Sequence, residues 1–489
     1  MSARTVPVVS ALLWGLAGVA SAREVTREQA LQVAQQFISE QDAGRVVGLA
    51  VTSANRTADG SALVVELAPR GYLVVSGDDR LPPIVAFSWS AVFGAPDARL
   101  NPLLDLLQAD LATRMAHLDL LPEPLRLDRR RQWEHFLGGA DRDGERTEYW
   151  PEPGSTTTGG WIETQWGQGA PFNMFCPLDL ATGQRSLAGC PSVAMAQILA
   201  FNRDTRGTRF AAQDRYHHNY GGNNYWIDDD WQTYGFPSFP QLNARLDSLD
   251  AHWQAGAAPS DEDEAALVFA CGVAATQVYH PQGSGTFDVD QAFAAWQRFG
   301  YGQARLLQGH DADIYESLAS NMMTGVPAHL AVVTPSWNAG HNLVVDGWNS
   351  DGFFHLNFGW NGAYDGWYLV PSELPFNLSV LEGVVVDLFP ASTDLPESFP
   401  TRPSLELAGW PNPCNPLLNL AFALPSAGLA RVDVVNLLGQ QVDCVYDGLL
   451  GPGSHHLRWQ PQVASGVYVV RLELPEAQQA AATRVAVIK

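Results

Sequence analysis

Basic residues are scarce in this chain. Its 489 residues hold 29 lysines and arginines against 52 aspartates and glutamates, a formal net charge of -23 at pH 7. A chain so acidic repels phosphate backbones and anionic headgroups, which argues against nucleic acid and anionic membranes as partners. Cysteine is sparse too, and five thiols cannot all pair within one chain. His217-His218 lacks the spacing of a zinc site and Asp228-Asp229-Asp230 reads as a solvated loop, so neither metal nor cofactor is expected. Long apolar runs are also missing: beyond the first residues nothing approaches the roughly 20 apolar positions of a membrane-spanning helix. Met1 to Ala22, with Arg4, an apolar run from Val6 to Val19 and the small residues Ala20-Ser21-Ala22, reads as a cleaved secretory signal. The mature protein is expected to be secreted or held at the cell surface.

The length exceeds one core and suggests roughly three domains at about 150 residues each. Residues 23–135 read as a small α+β unit: a helix from Thr26 to Ser39, strands over 62–67 and 71–79, and a helix from about Pro102 to Leu118. The Arg-rich stretch from Arg126 to Thr147 reads as an exposed linker and processing region. Residues 136–389 form the central domain, and 390–403, with four prolines, a semi-rigid spacer. Over residues 404–489, short strands separated by Gly and Pro indicate a β-sandwich.

In the central domain, Gly189-Cys190-Pro191 opens a strongly apolar helix. Pro191 suits the first turn, and the helix N-terminus favours a thiolate, so Cys190 is the candidate nucleophile. A second helix begins after Ser260, where Ser260-Asp261-Glu262-Asp263 resembles a capping box, and it buries Cys271. A nucleophilic thiol needs a base and an oxyanion donor. His341 begins the first strand of a hairpin, 340–348 with 353–360. If the connecting loop has an odd count, centred near Ser350, Asn357 shares a face with His341 and could fix its tautomer; an even count turns it away. Gln168 or Gln165, in a loop rich in amides, could hold the oxyanion.

Trp166-Gly167-Gln168 running to Pro171-Phe172-Asn173, then Ala188-Gly189-Cys190 with Ala194-Met195-Ala196-Gln197, then Gly340-His341, then His355-Leu356-Asn357-Phe358-Gly359-Trp360 resemble, in order, the motifs of streptopain-type cysteine peptidases of papain-like fold. The resemblance covers roughly residues 150 to 390. It implies Cys190 as nucleophile, His341 as general base and acid, Gln168 as oxyanion donor, Asn357 with Trp360 from the Asn-Trp-Gly-Trp motif, and Ser284 and Gly340 as substrate-backbone contacts. Phe358 departs from that motif's first Trp, and Asn342 from the small residue that usually follows the histidine. The stretch from Gly71 to Arg80 with Pro83 to Ser88 is similar to the inhibitory pro-domain of such zymogens. Trp410 to Pro416, Asn436 to Val442 and Ala464 to Tyr468 are similar to type IX sorting domains, immunoglobulin-like and related in fold to a hook-capping module. The resemblance implies a secreted endopeptidase made as a zymogen, with protein substrates, its own pro-domain as inhibitor, and secretion-machinery or cell-surface contact through residues 404–489. The rival reading is an inactive surface adhesin that keeps the peptidase fold.

Overall fold

The computed structural model describes residues 24–41, 48–93, 102–118, 121, 123–138, 147–309, 311, 313–333, 340–370, 381–390, 407–410, 417–424, 428–436, 440–450, 453–474 and 479–487. The signal segment, most of the 390–403 spacer and Cys414 lie outside them. The architecture is α+β with a C-terminal β-sandwich.

The N-terminal unit begins with α1 (Arg27–Glu40), whose capping box is Thr26 with Gln29. Strands β1 (Ala50–Arg56), β2 (Ala62–Ala68), β3 (Tyr72–Ser76) and β4 (Ile84–Ser88) follow as an antiparallel meander, then α2 (Pro102–Ala116) and α3 (Glu123–Gly138). Helix α3 corrects the exposed linker expected from Arg126 onward. Arg129, Trp133 and Phe136 recur at helical spacing and are buried, and Trp133 Nε1 donates to the Leu81 carbonyl at 2.8 Å. Local charge concealed that stripe, because the buried arginine sits within it.

The central domain contains β5 (Tyr149–Trp150), α4 (Cys190–Asn202), the hairpin β6 (Tyr216–Tyr220) and β7 (Asn223–Ile227), the short α5 (Trp231–Tyr234), α6 (Phe239–Gln254), α7 (Asp261–Ala274) and α8 (Val289–Arg298). After them come β8 (Arg305–Gln308), α9 (Ile314–Met323), β9 (Ala328–Val333), β10 (Gly340–Asn349), β11 (Phe353–Asn357), β12 (Gly366–Leu369) and β13 (Leu381–Val386). The Ser260–Asp263 capping box of α7 is formed. Helix α4 is buried on nearly every side, between α7 and the sheet strand β10.

One sheet runs through both units, in the order β1-β2-β3-β4-β12-β11-β10-β9-β13-β8. The seam is β4 on β12, where Phe87 faces Trp367 and Ala86 faces Tyr368. Across it, Tyr72 Oη donates to the Tyr364 carbonyl at 2.8 Å, the Val92 carbonyl accepts from the Tyr364 N–H at 3.3 Å, and Arg114 donates to the Leu369 carbonyl at 2.8 Å.

The C-terminal strands form two sheets. One holds β14 (Leu407–Trp410), β15 (Leu418–Leu424) and β18 (Gly453–Trp459); the other holds β17 (Gln441–Leu450), β16 (Gly428–Val435), β19 (Gly466–Leu474) and β20 (Gln479–Val487). Leu418, Leu420, Val432, Val434, Val470 and Leu472 pack between them. Arg471 forms an ion pair with Glu148 of the central domain. Cys176, Cys190, Cys271 and Cys444 carry free thiols.

Candidate active site

Cys190 is the first residue of α4. Gly189 before it holds φ 86°, in the left-handed region, and a Cβ there would lie 2.6 Å from Gln277 Oε1. Only glycine permits both the turn and that approach. Gln277, fully buried, donates to the Ala188 carbonyl at 2.7 Å and accepts from Ser192 Oγ at 2.6 Å, so it fixes the backbone on both sides of the cysteine. The Ala188 N–H also donates to the Gln168 carbonyl at 2.9 Å, which brings Gln168 beside the nucleophile loop. Gln165 instead packs its amide where Gly362 leaves room for it.

The thiol is not lowered in this state. Protein packed around it pushes its pKa up to about 11, against the opposing influence of hydrogen-bond donation from the backbone and side chain of Asn342 and from its own helix backbone. The helix terminus acts in the expected direction, but burial outweighs it. The same contact brings the peptide joining His341 and Asn342 to the sulfur, so the two distant segments converge.

The His341 ring is buried, and its pKa is pushed down to about 4, first by that burial and in part by His329. It is therefore neutral near pH 7. Its Nε2 lies 2.8 Å from the Phe358 carbonyl, which can only accept, so the proton sits on Nε2 and Nδ1 keeps a free lone pair. Trp360 covers the ring at 4.3 Å between centroids, while Phe358 lies parallel to it at 6.1 Å.

Asn357 does not reach His341. The turn has the odd count, centred at Asp351 rather than Ser350, with Trp348 opposite Phe354. A bulge at Asp346 then shifts the register, so that Asn357 faces Val344 and points to the other side of the sheet. There its Oδ1 accepts from Gln197 at 3.0 Å and from the Gly359 N–H at 3.0 Å, and its Nδ2 donates to the Thr164 carbonyl at 2.8 Å. The Gly359 N–H belongs to the same peptide as the Phe358 carbonyl. Asn357 thus steadies the group that steadies His341. A backbone carbonyl carries no sequence signal, which is why Phe358 stands out in the sequence only as a departure from the motif's first Trp.

Ser284 Oγ is engaged within its own loop, accepting from the His280 N–H at 2.9 Å and donating to the His280 carbonyl at 3.1 Å. Gly285, next to it, lies against Pro191. Gly340 is exposed at the start of β10, opposite Val333. A further chain went unread in the sequence: Trp296 Nε1 donates to His329 Nδ1 at 3.2 Å, which leaves the neutral ring's proton on Nε2 to meet Asn342 Oδ1 at 2.8 Å. That polarity fixes the Asn342 amide with its NH2 directed away from His329.

Residues 166–368 match the Peptidase C10 family, and residues 22–112 match the Spi protease inhibitor. The chain is similar to the thiol protease/hemagglutinin PrtT of Porphyromonas gingivalis, 26% identical over 413 residues, which cover 79% of this chain and 44% of that protein. It is also similar to streptopain of Streptococcus pyogenes, 23% identical over 330 residues, covering 64% of this chain and 74% of the other. A solved prointerpain A fragment of Prevotella intermedia aligns with TM-score 0.47 and 21% identity over 70% of this chain and 99% of the fragment. The chain thus spans under half of PrtT and about three quarters of streptopain. Its central domain belongs to the Peptidase C10 family, the streptopain family of cysteine peptidases, and carries a Spi-type inhibitor segment ahead of it.

Proposed function

We propose that this chain is an exported zymogen of a cysteine endopeptidase. The observation that carries the reading is the His341–Phe358 hydrogen bond, which leaves Nδ1 of a neutral imidazole free on a strand whose next peptide touches the Cys190 sulfur. In the mature enzyme His341 takes the thiol proton, and the thiolate adds to a peptide carbonyl to form a C–S bond. The Cys190 N–H and the Gln168 amide hold the oxyanion. Collapse of the adduct breaks the C–N bond as His341 returns the proton to the leaving amine. Water, activated by the same ring, then releases the acyl group and restores the thiol. Ser284, Gly340 and Trp360 line the approach of the substrate backbone.

In the form described both reacting groups are neutral. That suits a zymogen: the N-terminal unit completes the sheet at β12 and takes up both backbone groups of Tyr364, on the loop that carries Phe358. Release of that unit admits water and substrate and allows the thiolate–imidazolium pair to form. The signal segment and the C-terminal sandwich fit export and attachment or sorting at the cell surface, and neither adds to the chemistry. Cys190→Ala tests the reading. It should abolish hydrolysis of an unfolded protein and processing of the precursor; a fully active variant overturns the assignment, and a wild-type chain with no hydrolysis in either form favours the adhesin reading.

A further inference from the structure

Asp365 stands at the end of the loop that follows β11, one residue before β12. Its side chain is almost wholly enclosed, and Oδ1 accepts from the Phe358 N–H at 2.8 Å, while Oδ2 is buried without a hydrogen-bond partner. A buried carboxyl with an idle oxygen is costly to keep, so the bond it does make carries weight. That bond grips the residue whose carbonyl holds His341 Nε2, also at 2.8 Å. Asn357 Oδ1 holds the next N–H, that of Gly359, at 3.0 Å. Phe358 is therefore pinned from both sides, by Asp365 on its own N–H and by Asn357 on the peptide that bears its carbonyl.

We propose that Asp365 is a positioning residue for His341, acting through the Phe358 backbone rather than through its charge. Burial, the Phe358 carbonyl and His329 set the proton affinity of His341. Asp365 instead faces the buried His355–Asp346 pair, whose Nδ1 to Oδ1 distance is 2.7 Å, and lies beside Tyr72 and Tyr368 at the seam with the N-terminal unit. The backbone carries its influence, so an uncharged acceptor of the same shape should serve nearly as well. The neighbouring residue, Tyr364, holds φ 65° and has both backbone groups bound by the N-terminal unit, whereas the Asp365–Phe358 bond lies wholly within the central domain. The anchor is what would remain to hold Phe358 once the N-terminal unit leaves.

The inference rests on His341 as the general base. The test is kcat and KM on an unfolded protein substrate, with the pH profile of kcat/KM, for the full chain after its own processing, as wild type, Asp365→Ala and Asp365→Asn, with Cys190→Ala cut in trans by the wild-type chain as the inactive control. With the base no longer held, Asp365→Ala should lose about 100-fold in kcat with KM within about 2-fold, and its pH profile should move. Asp365→Asn, whose Oδ1 can still accept, should recover to within about 5-fold of wild type with the wild-type profile. A folded Ala variant with unchanged kcat, or a folded Asn variant as impaired as Ala, overturns the proposal. Should the Ala variant not fold, the Asn variant decides alone: a retained profile supports the proposal and lost activity overturns it. Wild type no more active than Cys190→Ala is a failure of the peptidase reading, and is recorded separately by that control.

Discussion

His341 Nε2 and the Phe358 carbonyl oxygen lie 2.8 Å apart, and this one hydrogen bond keeps the neutral ring's proton on Nε2 and leaves Nδ1 as the nitrogen with a lone pair to offer. The acceptor is backbone, so no side-chain substitution at Phe358 removes it. The groups that hold the backbone can be removed. Asn357→Ala deletes the acceptor for the Gly359 N–H and strands the buried Gln197 amide. The variant should lose about 1–3 kcal/mol of stability, measured by urea denaturation, and about 10- to 100-fold in kcat, with KM little changed.

Asn342, one of two departures from the motifs this chain resembles, faces the sulfur with a side-chain donor oriented by His329 and Trp296. Asn342→Ala should slow alkylation of Cys190 by iodoacetamide near neutral pH by about 10-fold, the scale of one hydrogen bond to a charged group. Asn342→Asp should slow it further, because a carboxylate opposes the thiolate. Mass spectrometry of the Cys190 peptide reads both.

His329 is fully buried and its pKa is pushed down to about 4 by burial, against the pull of Asn342. In the unfolded chain it titrates near 6.5. Between those values the unfolded state binds more protons, so this residue contributes stability that is present above about pH 6.5 and is lost as pH falls toward 4. In His329→Gln the difference in unfolding free energy between pH 7 and pH 4.5 should shrink by about 2 kcal/mol relative to wild type. Chemical denaturation at the two pH values checks it; an unchanged difference excludes the titration of His329 from the acid sensitivity.

Tyr72 links the N-terminal unit to the Tyr364 carbonyl across the β4–β12 seam, within a buried tyrosine pair with Tyr368. Tyr72→Phe removes one of the two donors to that carbonyl, the other being Tyr368 Oη at 2.6 Å, at a cost of about 1–2 kcal/mol. Since the bond exists only while the unit is docked, the variant should process itself about 5- to 30-fold faster by gel densitometry.

Much of this was legible in the residues because the signals are local. Glycine and proline around Cys190 mark the start of α4, and the Ser260 box marks the start of α7. The order of short strands marks the sandwich. Three matters were not legible. The α3 stripe is disguised by Arg129, which turns an amphipathic helix into an apparent linker. The Asn357 register depends on a bulge at Asp346, where the side chain pairs with His355 inside the core, and strand pattern alone does not mark such a bulge. The thiol's pKa depends on how much protein closes over it, which the helix terminus at Gly189 does not determine.

The most direct test is the rate at which a thiol-alkylating epoxide labels Cys190 in the processed chain at pH 6, with exposed Cys444 as internal reference, in wild type and in His341→Ala cut in trans by the wild-type chain. Cys190 should be labelled well ahead of Cys444 in the wild type, and that lead should be lost in the His341 variant. Equal labelling of the two cysteines, or a Cys190 rate that His341→Ala leaves untouched, would contradict it.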